Sequence, residues 1–388
     1  MHEDFLMRVG VGRPAKPEKF WQRLEMRFGK LATDMAKIID RRANGSADSE
    51  FWRLKNQDLD LSLWLSGQFM GDFYRTYLPW LSTAMASGQI RRILDVGCDN
   101  GVLTCSYAAS FPDAQVLGID QSHESIGCAN ELAGRLRQSN VEFRELSALE
   151  LSTLLVGETF DLITATMTYH SVFEIPDMPT GCSLFQLKLP DAEKWRAALM
   201  QIPPLLGTDG RFISIERLTS SPGILWWAGT LKDAGLQIDW QSSDLLRYSS
   251  RGEGEMRLPA FVCNRHERCG ASLVSDVLAF QARPELVELA RTPFEGDIAE
   301  ALFVAFRDRD LVWGLEIGHT EQAIERFEVW DARTVILAYT YSNLGSRRLV
   351  IGPCHKQQEC IEHAKGFWKG QPGLRLRHYT SIVERDSL

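Results

Sequence analysis

The 388 residues carry 43 Lys and Arg against 51 Asp and Glu, a formal net charge of −8, with 44% hydrophobic and 24% charged residues. Such a composition is globular, long for one domain and comfortable for two, and it lacks the basic excess of a nucleic-acid binder. No segment reaches the ~18 apolar residues of a membrane helix, so no membrane partner is expected.

The N-terminal MHEDFLMRVGVGRPAKPEKF has neither an apolar core nor a small-residue cleavage site, so no secretory signal is expected. The eight cysteines are scattered rather than arranged as a disulfide framework, which predicts a cytoplasmic protein with reduced thiols. Trp21, Leu24, Phe28, Leu31, Met35 and Ile38 recur at three- and four-residue steps and predict a helix with one apolar face. RANGSADSE (42–50) reads as a polar breaker. A second helical stretch, 61–86, is rich in aromatics: Trp64, Phe69, Phe73, Tyr74, Tyr77 and Trp80.

From residue 91 strands alternate with helices. ILDV, QVLGID, VEFREL, FDLITA and RFISIE suit buried parallel strands, and ESIGCANELAGRLRQS and DAEKWRAALMQIPPLL suit the helices between them. This alternation predicts a doubly wound α/β sheet with right-handed crossovers. ILWWAGTLKDAGLQIDW supplies a last helix and strand, and RGEGE (251–255) reads as a boundary. Beyond it come helical ASLVSDVLAF and DIAEALFVAF and strand-like RFEVW and RTVILAYTY. RRLVIG follows a turn containing Asn343 and Gly345, and KQQECIEHAKGFW reads as a closing helix. The expected organisation is a helical N-terminal extension (1–60), an α/β domain (61–250) and a small α+β domain (256–388).

The most informative stretch is RRILDVGCDNGVLTCSYA (91–108), in which a buried strand enters a glycine-bracketed turn that opens a helix. Such a turn lets a ligand approach the backbone at a helix N-terminus. It lacks the paired glycines of a dinucleotide loop, and Asp99 stands where a diphosphate would sit. A carboxylate there repels a diphosphate but not S-adenosylmethionine (SAM), whose sulfonium is a cation. The next strand ends at Asp120, 19 residues past Gly101, where a carboxylate can accept both hydroxyls of an adenosine ribose; Gln121 follows it.

These residues resemble the class I SAM-dependent methyltransferases. The family's first motif is matched by Asp95, Gly97, Cys98, Asp99 and Gly101, and its second-strand acid by Asp120. Ser147 and Ala148 stand where the family commonly has an Asp-Ala pair beside the adenine. FDLITATMTYHSV resembles the fourth motif of many small-molecule methyltransferases, and GTDGRFISIE the loop and strand that follow it. The resemblance spans 61–250. It implies a seven-stranded sheet with an antiparallel last strand, an N-terminal helical cap and SAM as cofactor.

The fourth strand is then expected to end beside the reacting methyl group, which singles out 164–170. Thr164 joins the cofactor set. His170 is the candidate base, because its unperturbed pKa lies near 6.5, and Tyr169 a candidate to position an acceptor. Trp64, Phe73, Tyr74, Glu174, Trp226 and Trp227 are the candidate acceptor contacts. Cys263, His266 and Cys269, with Cys354, His355, Cys360 and His363, offer zinc-type ligands, but they lack C-x2-C spacing, and no metal is expected. The expected partner is a small-molecule acceptor methylated at O, N or C, with no nucleic acid and a homodimer contact through the C-terminal domain. The alternatives are a peptide or protein acceptor recognised by that domain, or a non-catalytic protein of the same fold.

Overall fold

The computed structural model describes residues 2–386 except 44–47, 87–88, 174, 179–188, 251–253, 266–272, 274–275, 278–279, 281–293, 307, 321, 334 and 354–355. The chain divides into two units, one formed by residues 1–178 with 190–267 and the other chiefly by residues from 268 onward.

The first unit holds an eight-stranded sheet. Its strands are β1 (Arg92–Val96), β2 (Gln115–Asp120), β3 (Val141–Glu145), β4 (Phe160–Thr166), β5 (Leu206–Ile215), β6 (Gln237–Ile238), β7 (Asp244–Ser250) and β8 (Gly254–Asn264). The order is β3-β2-β1-β4-β5-β8-β6, with β7 also paired to β8. β1 to β5 are parallel, and β8 runs antiparallel to β5, β6 and β7. Ile93, Leu94 and Val96 of β1 and Leu162, Ile163 and Ala165 of β4 are all buried. Burial of consecutive residues on both faces is why these runs read as continuously apolar. Strand order reverses between β1 and β4, and ligands of open α/β sheets bind at the carboxyl ends of such strands.

Two expectations change here. The sheet has eight strands rather than seven, and RGEGE is not a domain boundary. Residues 254–260 of β8 pair with β7 and residues 260–263 with β5, so Gly254 and Glu255 already belong to the first sheet. The first unit therefore extends past β8.

The N-terminal segment is also more broken than its periodicity implies. Helix Phe20–Phe28 is separated from Lys30–Ala43 by Gly29, whose φ of +53° favours glycine. Phe20, Leu24, Met35 and Ile38 share a core, whereas Trp21 is 44% exposed. A further helix, Asp48–Lys55, begins in the last three residues of the expected breaker. The 61–86 stretch is two helices, Leu59–Phe69 and Gly71–Ala84. The first is capped by Asp58, whose carboxylate accepts the Leu61 N–H at 2.8 Å. These helices belong to the same unit as the sheet.

The second unit is a six-stranded antiparallel sheet of β9 (Phe294–Glu295), β10 (Asp310–Gly318), β11 (Ile324–Asp331), β12 (Val335–Ser342), β13 (Arg347–Pro353) and β14 (Arg375–Tyr379), in the order β14-β10-β11-β12-β13-β9. Helix Gly296–Ala305 packs on Trp330, Leu337, Tyr339 and Leu349, and helix Gln357–Lys369 on Trp313, Leu315 and Ile317. The buried Glu328 carboxylate accepts from Trp330 Nε1 at 2.9 Å and from the hydroxyls of Tyr341 and Tyr379 at 2.9 and 2.8 Å. A charge taken out of water needs such donors to be tolerated.

Candidate active site

The turn after β1 is shaped by its backbone. Gly97, Asp99 and Gly101 all have positive φ, at +72°, +49° and +79°. A side chain at Gly97 would place Cβ 2.5 Å from Thr168 Oγ1, in the loop after β4. A side chain at Gly101 would meet Ala129 at 2.9 Å. The first glycine lets the β1 and β4 loops touch, and the second lets the helix Val102–Ser110 start against its neighbour. Gly97 N–H and Cys98 N–H both donate to Ile119 O at 2.8 Å, and Asp99 N–H donates to Asp120 Oδ2 at 3.0 Å. The turn is thus tied to the end of β2.

Above it lies a cavity of about 650 Å³, within the range of small-molecule sites. Of the expected cofactor residues, Asp95, Gly97, Cys98, Asp99, Asp120, Gln121, Ser147 and Ala148 line it. Gly101 and Thr164 do not: Gly101 is packed against Ala129, and Thr164 is buried behind the wall, its Oγ1 donating to Asp95 Oδ1 at 2.8 Å. Thr104 Oγ1 donates to the other Asp95 oxygen at 2.6 Å. Burial nevertheless pushes the Asp95 carboxyl up to about 6, and burial does the same to Asp120, also to about 6.

Asp99 is not the isolated negative charge that the turn suggested. Its Oδ2 pairs with Lys55, and its Oδ1 accepts from Asn56 Nδ2 at 2.7 Å. Lys55 is only 5% exposed and its ammonium lies 5.0 Å from the centre of the Trp52 ring. Asn100 Nδ2 donates to Ser62 Oγ and Ser66 Oγ at 2.8 and 2.9 Å. The helices Asp48–Lys55 and Leu59–Phe69 therefore grip the turn through charge-assisted and neutral hydrogen bonds, and Phe51, Trp52, Leu65 and Phe69 from them complete an apolar wall.

Across the cavity, β4 is followed by Met167, a non-glycine residue with φ +56°. The following short helix, Tyr169–Val172, is organised by Glu216, the residue after β5. Glu216 is 1% exposed; its Oε1 accepts Tyr169 N–H at 3.0 Å and its Oε2 accepts His170 N–H at 3.1 Å. Oε2 also lies 2.7 Å from His170 Nδ1. The carboxylate can only accept, so Nδ1 carries the proton and the Nε2 lone pair is left for other partners. His170 lines the cavity.

Tyr169, expected beside it, does not line the cavity. It is fully buried on the other side, its ring 6.0 Å from Trp227. Among the expected acceptor contacts, Tyr74 lines the cavity and four others do not. Phe73 stacks on Tyr77 in the core, and Trp64 packs with Phe20 and Phe28. Trp226 and Trp227 are buried with Trp195, Trp227 Nε1 donating to Ser214 Oγ at 2.9 Å. An aromatic stripe at helical spacing buries whichever face meets the sheet, and here that face is core. Glu174 lies outside the described residues, as do His266, Cys269, Cys354 and His355. Among the described residues no group of three or more His, Cys, Asp or Glu could hold a metal ion.

Lys55, Trp52, Glu216 and Arg217 went unnoticed in the sequence reading. Glu216 has a local signal in hindsight, a carboxylate closing the apolar run RFISI at the carboxyl end of a strand. Lys55 has none, because its partner is 44 residues away.

Residues 89–225 match the family model described as a methyltransferase domain. The ubiquinone biosynthesis O-methyltransferase of Bordetella avium is 38% identical over 106 residues, which are 27% of this chain and 42% of that protein. The release factor glutamine methyltransferase of Xylella fastidiosa is 33% identical over 96 residues, 25% of this chain and 34% of that one. The chain thus spans less than half the length of these curated relatives. The solved structure of mitomycin 7-O-methyltransferase aligns with a TM-score of 0.39 at 17% identity, over 63% of this chain and 67% of that one.

The residues present suit the cofactor that goes with the domain. Asp99, Asp120 and Glu124 line the cavity together with Asp95, whose two oxygens are held by Thr104 and Thr164, and Asp99 is neutralised by Lys55. Two have raised pKa values. That donor set accepts hydroxyl and ammonium protons and favours a cationic ligand over a diphosphate.

Proposed function

We propose that the chain is a SAM-dependent methyltransferase that methylates a hydroxyl of a small, largely apolar molecule. The observation that carries this reading is that the His170–Glu216 pair opens onto the same cavity as the glycine turn and Asp120. The cofactor, when bound, supplies a methyl group activated on a sulfonium. Asp120, at the end of β2, would accept hydroxyl hydrogens of the ribose, and the backbone of 97–99 with Gln121, Ser147 and Ala148 would help to hold the cofactor. Phe51, Trp52, Leu65, Phe69, Met70 and Tyr74 exclude water and enclose an apolar acceptor. His170 Nε2 takes the proton from the acceptor oxygen, and Glu216 holds the ring in the accepting tautomer and stabilises the imidazolium that forms. One relative's name, an O-methyltransferase of ubiquinone biosynthesis, supports an oxygen acceptor.

The test is incubation of the purified chain with methyl-labelled SAM and a cell extract, followed by separation of small molecules from polymers. Label in a small molecule, released as methyl iodide by hydriodic acid and stable to alkali, is the expected outcome. Label found only in polypeptide would sink the acceptor class, and failure to bind SAM in calorimetry would sink the activity itself.

A further inference from the structure

A second cavity of the first unit, about 290 Å³, shares no lining residue with the one above. Arg8, Arg27, Arg135 and Arg137 all line it, from three separate helices or their ends: His2–Arg8, Phe20–Phe28 and His123–Leu136. Asp60 is the one carboxylate on its wall and is already paired with Arg135 at 2.6 Å. Arg135 takes a second carboxylate, Glu131, at 2.7 Å. Among the described residues, Arg8, Arg27 and Arg137 form no ion pair; the first two guanidinium groups lie 5.8 and 5.2 Å from the Phe5 and Phe28 ring centres.

Three of the four arginines on this wall are left without a carboxylate partner among the described residues, in a chain whose net charge is −8. An anion supplies the partner they lack, and the planar fork of arginine matches the oxygens of a phosphoryl group two at a time. The volume has room for a phosphate or diphosphate and lies at the small end of ligand sites. We propose that this cavity is a binding site for a small polyanion of the phosphate class, separate from the methyltransferase site.

The test is calorimetric titration of the full chain with inorganic pyrophosphate at low ionic strength. Saturable binding at one site is expected. The double variant Arg27→Gln/Arg137→Gln should weaken it about tenfold or more, with the thermal midpoint unchanged. Arg91→Gln, an exposed arginine absent from the cavity, removes one positive charge and should leave the affinity intact. Absence of saturable binding by the unaltered chain overturns the proposal, as does an equal loss from Arg91→Gln. Flotation with phosphatidylcholine vesicles, with and without phosphatidic acid, distinguishes the source of the phosphate. Acid-lipid binding displaced by pyrophosphate makes the ligand a headgroup, and no vesicle binding makes it a free phosphate ester. Vesicle binding without any pyrophosphate titration overturns the site.

Discussion

His170 and Tyr169 are adjacent in the chain and occupy opposite surroundings, one on the cavity wall and one beside Trp227 in the core. His170→Ala should therefore lower kcat by about 10²- to 10⁴-fold, the usual contribution of a positioned base, while the Kd for SAM in calorimetry stays the same. Tyr169→Phe should leave both nearly unchanged, because its hydroxyl faces no reacting group. Asp120 carries a second residue-scale prediction. Its carboxyl titrates near pH 6 in the free site, raised chiefly by burial. Ribose hydroxyls donate to the ionised form, so SAM affinity should be full above pH 6 and fall by up to about tenfold per unit below it. Asp120→Ala should reduce that pH dependence to what Asp95, also raised to about 6, contributes, and weaken binding about 10- to 100-fold. An affinity flat from pH 5 to 8 in the unaltered protein would remove Asp120 from the binding set. The glycine turn and Asp120 were legible because their constraints are local: a positive φ, a close approach, a strand end. Which of two neighbours faces the cavity depends on the rotation of one helical turn, and that is set by Glu216, 46 residues away.

At the scale of elements, the cavity is the meeting of loops after β1 and β4 with two N-terminal helices. The parallel strands were readable because burial on both faces leaves unbroken apolar runs, whereas the helix Asp48–Lys55 is short and its first turn lies in a stretch read as polar punctuation. Its role rests on long-range pairing. Lys55 and Asn56 hold Asp99, and Ser62 and Ser66 hold Asn100. Breaking a buried ion pair from one side leaves an uncompensated charge, a loss discounted here because the Asp99 side chain is 26% exposed. Lys55→Met should therefore cost about 1–3 kcal/mol of stability in urea denaturation and weaken SAM binding. The double variant Lys55→Met/Asp99→Asn should recover part of the stability. If the single and double variants lose the same amount, the pair does not couple the helices to the turn.

For the whole molecule, the misplaced boundary is the instructive error. Gly254 and Glu255 of RGEGE are already strand residues of β8, and a polar, glycine-containing stretch can start a strand as well as mark a linker between domains. β8 pairs with β5, β6 and β7 at once, so it is integral to the first sheet. A chain ended after residue 267 should keep a cooperative thermal transition, whereas one ended at 253 should lose it, as read by circular dichroism. Retention of a transition by the shorter chain would mean that the sheet closes without β8.

Trp52 adds one practical consequence. The sequence has eleven tryptophans, and among the described residues Trp52 is the one on the wall of the 650 Å³ cavity. Its indole, with an ammonium 5.0 Å away, is an intrinsic optical reporter. Ligand arrival should change its emission without any attached dye, and Trp52→Phe should silence that signal while the other ten continue to fluoresce.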